Sequence, residues 1–259
     1  MKLAGSSILI TGGRRVGASL ARLLADRGAK LAMTYRTSRE TIEQTLNDCR
    51  TQGAADTLPI EADLVDPEQA ERAVQQVVER FGRIDALVNM ASIYERTPFA
   101  ELTPEHYDRM IAANLSAPYH VAVAAGKAML AQEPIPGAAS GLKGKILCFG
   151  DWGTDRPRGG DLPYIIAKGG LSTMTLAMAK ELAPHVAVNL IQPGTIVPWP
   201  DMTDDQRNEI LRATPLARIG SADDANHLVL YLLEGTDFAT GGCYRIDGGR
   251  YLGTDDEVS

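Results

Sequence analysis

"SILITGGRRVGASLA" (7–21) passes from an apolar pentad through a glycine-rich turn into a segment with helical spacing. "SILIT" is short, rich in β-branched residues and nearly continuous in its apolarity, which is the pattern of a strand buried on both faces. A helix is expected over 16–27. Glycines between a first strand and a helix let the backbone approach a pyrophosphate, whose charge the helix N-terminus favours. A tight strand-to-helix turn would use glycine as well, so the weight of this turn comes from what surrounds it.

The alternation continues outward. Strands are expected at "LAMTY" (31–35), "TLPIEAD" (57–63), "IDALVNM" (84–90), "GKILCFG" (144–150), "VAVNLIQ" (186–192) and "CYRID" (243–247). Between them lie the helical segments "TIEQTLNDCRTQG", "PEQAERAVQQVVERFG" and a long one over about 104–130. Asp66 is the expected N-cap of the second of these, with Pro67 at its first position. Strand–helix alternation predicts an α/β fold: a Rossmann-type, doubly wound parallel sheet with helices on both faces. A single domain over 1–259 is expected, without repeat or linker. Stretches 132–143 and 152–163 read as loops, 195–213 as a substrate lid with Trp199 as its apolar contact, and 253–259 as a frayed tail.

A net charge of −7 argues against a nucleic-acid or anionic-membrane surface. Hydrophobic residues make up 44% of the chain, yet no run reaches membrane-spanning length and the first residues hold too short an apolar run for a signal peptide. Cys49, Cys148 and Cys243 are odd in number and scattered, which predicts free thiols and a cytoplasmic protein. The four histidines show no ligand spacing, so no metal site is expected.

The end of the second strand bears on the cofactor. An NAD-binding chain ordinarily carries an acid there for the ribose 2′-hydroxyl, whereas this one reads "TYRTSR", with Arg36 between Tyr35 and Thr37. A guanidinium binds a 2′-phosphate that a carboxylate would repel. Arg14 and Arg15 in the neighbouring turn are candidates for the same clamp, so NADP(H) is favoured over NAD(H). Tyr164 and Lys168 are four residues apart, one above the other on a helix face. A tyrosine placed near an ammonium is a candidate proton donor for hydride chemistry.

In order along the chain, "TGGRRVG", "ADLVD" (62–66), "VNMAS" (88–92), "NLSAP" (114–118), Tyr164 with Lys168, "QPGTI" (192–196) and "DGG" (247–249) resemble the short-chain dehydrogenase/reductase family over nearly the whole sequence. The resemblance implies cofactor contacts from Gly12, Arg14, Arg15, Val16 and Gly17, from Tyr35, Arg36 and Thr37, and from Asp63 and Leu64 by the adenine. It further implies that Asn89 supports the central strands, that Ala91 and Ser92 line the cofactor, and that Pro193, Gly194, Thr195 and Ile196 flank the nicotinamide. Asn114 would order a water near the lysine, Tyr164 would donate the proton, and Lys168 would hold the ribose and depress the tyrosine pKa. Family members commonly form tetramers, which implies a homotetramer built on helices about 104–130 and 163–183.

Two departures from the family pattern refine the reading. The glycine turn is one residue short, with arginine near the middle-glycine position. The serine that usually stands thirteen residues before the tyrosine is here Asp151. An ionised aspartate repels a developing alkoxide, whereas a carboxylic acid can feed a proton to a C=N bond. Asp151, the arginines of the turn and Arg36 together resemble the pteridine reductase and dihydromonapterin reductase branch. In that branch Ser92 bonds cofactor and substrate and Tyr94 takes the place of the stacking aromatic, while Met90 replaces the usual asparagine. Trp152, Arg156 and Arg158 are candidates for the pocket rim. Three functions are carried forward: an NADPH-dependent reductase of a pterin-like substrate, a carbonyl or 3-ketoacyl reductase of the same family, and a non-catalytic NADP(H) sensor.

Overall fold

Seven apolar runs become the strands β1 (Ser7–Thr11), β2 (Lys30–Tyr35), β3 (Asp56–Glu61), β4 (Ala86–Asn89), β5 (Gly144–Phe149), β6 (Val186–Pro193) and β7 (Cys243–Ile246). They form one parallel sheet in the order β3-β2-β1-β4-β5-β6-β7. The computed structural model describes residues 1–253 apart from 13, 139, 140 and 200. One glycine of the first turn, one residue of the expected lid and 254–259 of the expected tail therefore lie outside the described residues.

Alternate residues of each strand face opposite layers. Ile8 and Ile10 of β1 pack with Leu20 and Leu24 of α1 (Val16–Ala25), with α2 (Arg39–Gln52) and with α8 (Ala222–Leu230). Leu9 faces the other way, into a layer with Val74 and Val77 of α3 (Pro67–Phe81), with α5 (Ala117–Ala131) and with α6 (Leu162–Glu181). Each fully buried leucine or isoleucine contributes about 1.5–3 kcal/mol, so the two layers fix the strand order from both sides. The doubly wound expectation holds.

Local signals place the element ends. Asp66 accepts hydrogen bonds from the N–H groups of Glu68 (2.9 Å) and Gln69 (3.4 Å), and Pro67 fills the first helical position. The long helix over 104–130 is not continuous. It breaks into α4 (Pro104–Ile111), a π-helical turn (Ala112–Ser116) and α5. Pro118 offers no N–H to the carbonyl of Asn114, so the ladder cannot run straight through. The stretch after β6 holds more structure than the sequence reading gave it, namely α7 (Asp204–Arg212) and α8.

A second π-helical turn (Tyr231–Gly235) follows α8. The buried Lys145 of β5 donates from Nζ to the carbonyls of Leu232 (3.0 Å), Leu233 (2.8 Å) and Thr236 (2.6 Å). It also pairs with Asp237 at 2.7 Å. A fully desolvated ammonium is tolerated there because polar partners surround it. Among the described residues no helix is long and apolar enough to cross a membrane.

Candidate active site

The C-terminal ends of β1, β2, β4, β5 and β6 lie along one edge of the parallel sheet, whose order reverses between β1 and β4, the place where open α/β sheets take their ligands. Gly12 turns there with φ +75°, and a Cβ on it would lie 2.6 Å from the Cα of Ala91. A Cβ on Gly17 would meet the carbonyl oxygen of Gly12 at 2.8 Å. Only glycine fits either position, so the β1–α1 turn lies directly against the end of β4.

Thr11 joins the two. Its hydroxyl donates to Asn89 Oδ1 (2.9 Å) and accepts from the N–H groups of Met90 and Ala91 (3.1 Å each). Asn89 Nδ2 donates to the carbonyl of Pro118 at 3.0 Å, tying the end of β4 to the start of α5. Val16 opens α1, and Arg14 and Arg15 before it are exposed. Arg36 stands beyond the buried Tyr35 at the end of β2, beside the exposed Thr37. It pairs loosely with Asp63 at 3.7 Å, while Leu64 is buried.

Asn114 lies in the π-helical turn. Its Oδ1 accepts from the Ser92 hydroxyl (2.6 Å) and from the N–H of Ile93 (3.1 Å). Asn114 thus braces the loop that carries Ser92 and Tyr94, a contact that motif spacing alone does not reveal. Tyr94 meets Tyr164 edge-on, with ring centroids 5.0 Å apart, and remains 58% exposed.

Asp151 follows β5 and caps a short turn over Trp152–Thr154. Its Oδ1 accepts from the N–H of Gly153 at 2.7 Å. Its Oδ2 accepts from the Tyr164 hydroxyl at 3.0 Å. Lys168, one turn after Tyr164 on α6, donates from Nζ to the carbonyl of Phe149 at 2.8 Å and sits 5.8 Å from the Tyr164 ring centroid. Tyr164 and Lys168 are both buried.

The electrostatics correct one expectation. Burial raises the Tyr164 pKa well above its usual value, and the Asp151 charge and hydrogen bond push in the same direction. In this arrangement burial and the carboxylate outweigh any acidifying effect of Lys168 on the tyrosine. The hydroxyl's nearest ionic partner is a carboxylate, and the lysine itself is brought down to about 8, chiefly by burial.

Around the end of β6, Gly194 N–H donates to the carbonyl of Ile246 at 2.8 Å, and a Cβ on Gly194 would lie 2.8 Å from the Cα of Asp247. Pro193 ends the strand, and the Thr195 hydroxyl accepts from Arg250 at 3.2 Å. Ile196 is half-buried beside this corner. Trp199 is 37% exposed, and among the described residues it makes no ring contact with Tyr94 or Tyr164. Trp152 is buried rather than on the rim, with the guanidiniums of Arg158 (4.9 Å) and Arg250 (5.2 Å) over its ring. Sequence reasoning missed Thr11 and Arg250 here. Among the described residues no three His, Cys, Asp or Glu side chains gather as a metal site.

The residues at this edge fit a dinucleotide: the β1–α1 turn excludes a Cβ at Gly12, a guanidinium is exposed at the end of β2, and an ammonium lies beside a phenol after β5. The family profile described as enoyl-(acyl carrier protein) reductase matches residues 13–250. The chain belongs to the short-chain dehydrogenase/reductase family.

This short-chain dehydrogenase/reductase is 29% identical over 258 residues to the 3-oxoacyl-(acyl-carrier-protein) reductase FabG of Staphylococcus aureus, covering 97% of this chain and 100% of the relative. It is 30% identical to the granaticin polyketide synthase putative ketoacyl reductase 2 of Streptomyces violaceoruber, over 94% of this chain and 95% of that one. Among solved structures, a short-chain dehydrogenase/reductase from Serratia marcescens superposes with a TM-score of 0.86 at 29% identity, covering 97% of this chain and 100% of that chain. The protein is an oxidoreductase of this family, whose members work with a nicotinamide cofactor.

Proposed function

We propose that this short-chain dehydrogenase/reductase is an NADPH-dependent reductase whose substrate carries a 3-oxoacyl carbonyl. The carrying observation for the chemistry is the buried Tyr164 hydroxyl, with Asp151 at 3.0 Å and Lys168 one helical turn away. The substrate class is supported by whole-chain similarity to two ketoacyl reductases.

When bound, the reduced nicotinamide supplies a hydride. Arg36, with Arg14 and Arg15, would hold the 2′-phosphate; the Gly12 turn would take the pyrophosphate, and Asp63 and Leu64 the adenine. Lys168 would hold the ribose, and Pro193, Gly194, Thr195 and Ile196 the nicotinamide. The Tyr164 hydroxyl gives its proton to the substrate oxygen, and without substrate Asp151 Oδ2 accepts that hydroxyl's hydrogen bond. Asn114 holds the Ser92–Tyr94 loop beside it. The segment 195–213, including Trp199, closes over the substrate. We further propose a cytoplasmic homotetramer, which three free thiols and the exposed Tyr119 and Leu176 on the helix faces would suit.

A second reading rests on Asp151 itself. A carboxyl group bonded to the proton-donating tyrosine, with Tyr94 against that ring, suits a pterin-like C=N bond better than an alkoxide. NADPH oxidation followed in parallel with a 3-oxoacyl thioester, a dihydropterin and a quinonoid pterin tests both readings. Turnover of the thioester alone is expected. Turnover of the pterins alone would replace the first reading with the second, and NADPH binding without turnover of any substrate would leave a sensor.

A further inference from the structure

Arg158 reaches two carboxylates. Its Nη2 lies 3.1 Å from Asp161 Oδ2 and 3.9 Å from Asp151 Oδ1, with the guanidinium over the Trp152 ring. Asp161 occupies the N-cap position of α6, where an aspartate usually accepts from the helix's first N–H groups. It makes no such cap bond. Its side chain is buried, and Oδ1 has no hydrogen-bond partner among the described residues. Burial pushes its carboxyl pKa up, and Arg158 opposes that rise. A buried carboxylate committed to an arginine instead of to its own helix is costly unless the arginine is needed where it stands.

We propose that Asp161 and Arg158 are positioning residues: Asp161 fixes the guanidinium, which holds the Asp151 carboxylate with one oxygen on Gly153 and the other on the Tyr164 hydroxyl. The backbone is shaped to this arrangement. A Cβ on Gly153 would lie 2.9 Å from Asp151 Oδ1 and 3.5 Å from Arg158 Nη2. The charged and titratable groups around the carboxylate are Tyr164, Tyr94 and Asp161 on one account and Lys168 and Arg158 on the other, with Arg96 beyond Asp161. Removing Arg158 therefore takes away a cation that offsets the Asp151 charge on Tyr164. The proposal deepens the reductase reading and rests on Tyr164 and Asp151 forming its reaction site.

The test uses Arg158→Gln, Arg158→Lys, Asp161→Asn and the Arg158→Gln/Asp161→Asn double variant. With the preferred substrate, Arg158→Gln leaves the Asp151 charge unscreened beside Tyr164 and is expected to lower kcat by about tenfold or more, leave the KM for NADPH in place, and move the pH–rate profile to higher pH. Arg158→Lys recovers part of the rate. The double variant is no slower than Arg158→Gln, because Asp161 acts through the arginine. Superimposable pH profiles, or losses that multiply in the double variant, overturn the proposal. Thermal melting without substrate is the independent arm: Arg158→Gln strands Asp161 and lowers Tm, and adding Asp161→Asn restores most of the loss. No coupling in melting overturns the proposal whatever the turnover. Coupling in a protein that reduces none of the substrates upholds the arrangement and overturns the reductase reading.

Discussion

Replacing Asp151 by serine removes a charge 3.0 Å from the Tyr164 hydroxyl and separates the two substrate classes. A unit charge about 4 Å from a developing phenolate costs on the order of 4 kcal/mol at an effective dielectric near 20, and its removal favours ionisation of the tyrosine. Tyr164, held well above its usual pKa partly by this carboxylate, ionises more readily in the variant. Lys168 loses the neighbour that supports its protonation and falls further from its value of about 8. Serine supplies a neutral donor for an alkoxide but no carboxyl proton. Reduction of a 3-oxoacyl thioester by Asp151→Ser is therefore expected to hold or rise. Reduction of a pterin would fall by about a hundredfold to ten-thousandfold, the range for loss of a general acid. The assay is initial-rate NADPH oxidation with both substrates across the pH range. Equal losses on both, or no change on either, would refute the reasoning and reduce Asp151 to a cap for Gly153.

Four further outcomes follow from the geometry. Arg36→Ala should weaken NADPH binding by about tenfold to a hundredfold while barely moving NADH; equal losses in titration calorimetry would remove the phosphate assignment. Lys168 titrates at about 8 when folded and at 10.5 in the unfolded chain, so the unfolded state binds the extra proton between those values and stability rises with pH across that window, by ~3 kcal/mol in all. Urea unfolding of the ligand-free protein should thus show Lys168→Met more stable than the parent near neutral pH, with most of that advantage gone by about pH 10; a constant advantage contradicts the burial argument. Gly12→Ala forces a positive φ on alanine and a collision with Ala91, which should cost at least ~2 kcal/mol and roughly 4–8 °C in melting temperature. Light scattering should give a tetramer at micromolar concentration, and a monomer there would defeat the assembly proposal.

Where the sequence was most legible, the cause is local. A buried strand writes itself as "SILIT", and Asp66–Pro67 announces a helix start whose hydrogen bonds span three residues. Gly12 and Gly17 likewise mark a turn that tolerates no Cβ. The helices α7 and α8 carried readable capping boxes at Thr203/Gln206 and Ser221/Asp224, but their short, polar sequences gave little apolar periodicity to read. The break before α5 was signalled by Pro118 and masked by the apolar residues on either side of it. The site was legible as residue types at fixed spacings. Its electrostatics were not, because the i, i+4 lysine is visible in sequence while the depth of burial around Tyr164 is a property of the packed whole. The Arg158–Asp161 contact shows the same limit, since an aspartate before a helix reads as a cap until its carboxylate is seen turned away.

Lys145 carries a consequence for how the chain is made. Its carbonyl partners are synthesised 87 to 91 residues after it, and Asp237 follows directly on them. A ribosome therefore delivers β5 long before anything exists to receive its ammonium, and until then the lysine must stay in water. The middle of the sheet can close in its final form only when the segment 232–237 leaves the exit tunnel. A nascent chain halted before that point presents a hydrated cation on a strand that is otherwise ready to be covered. Once the segment arrives, the cation is enclosed.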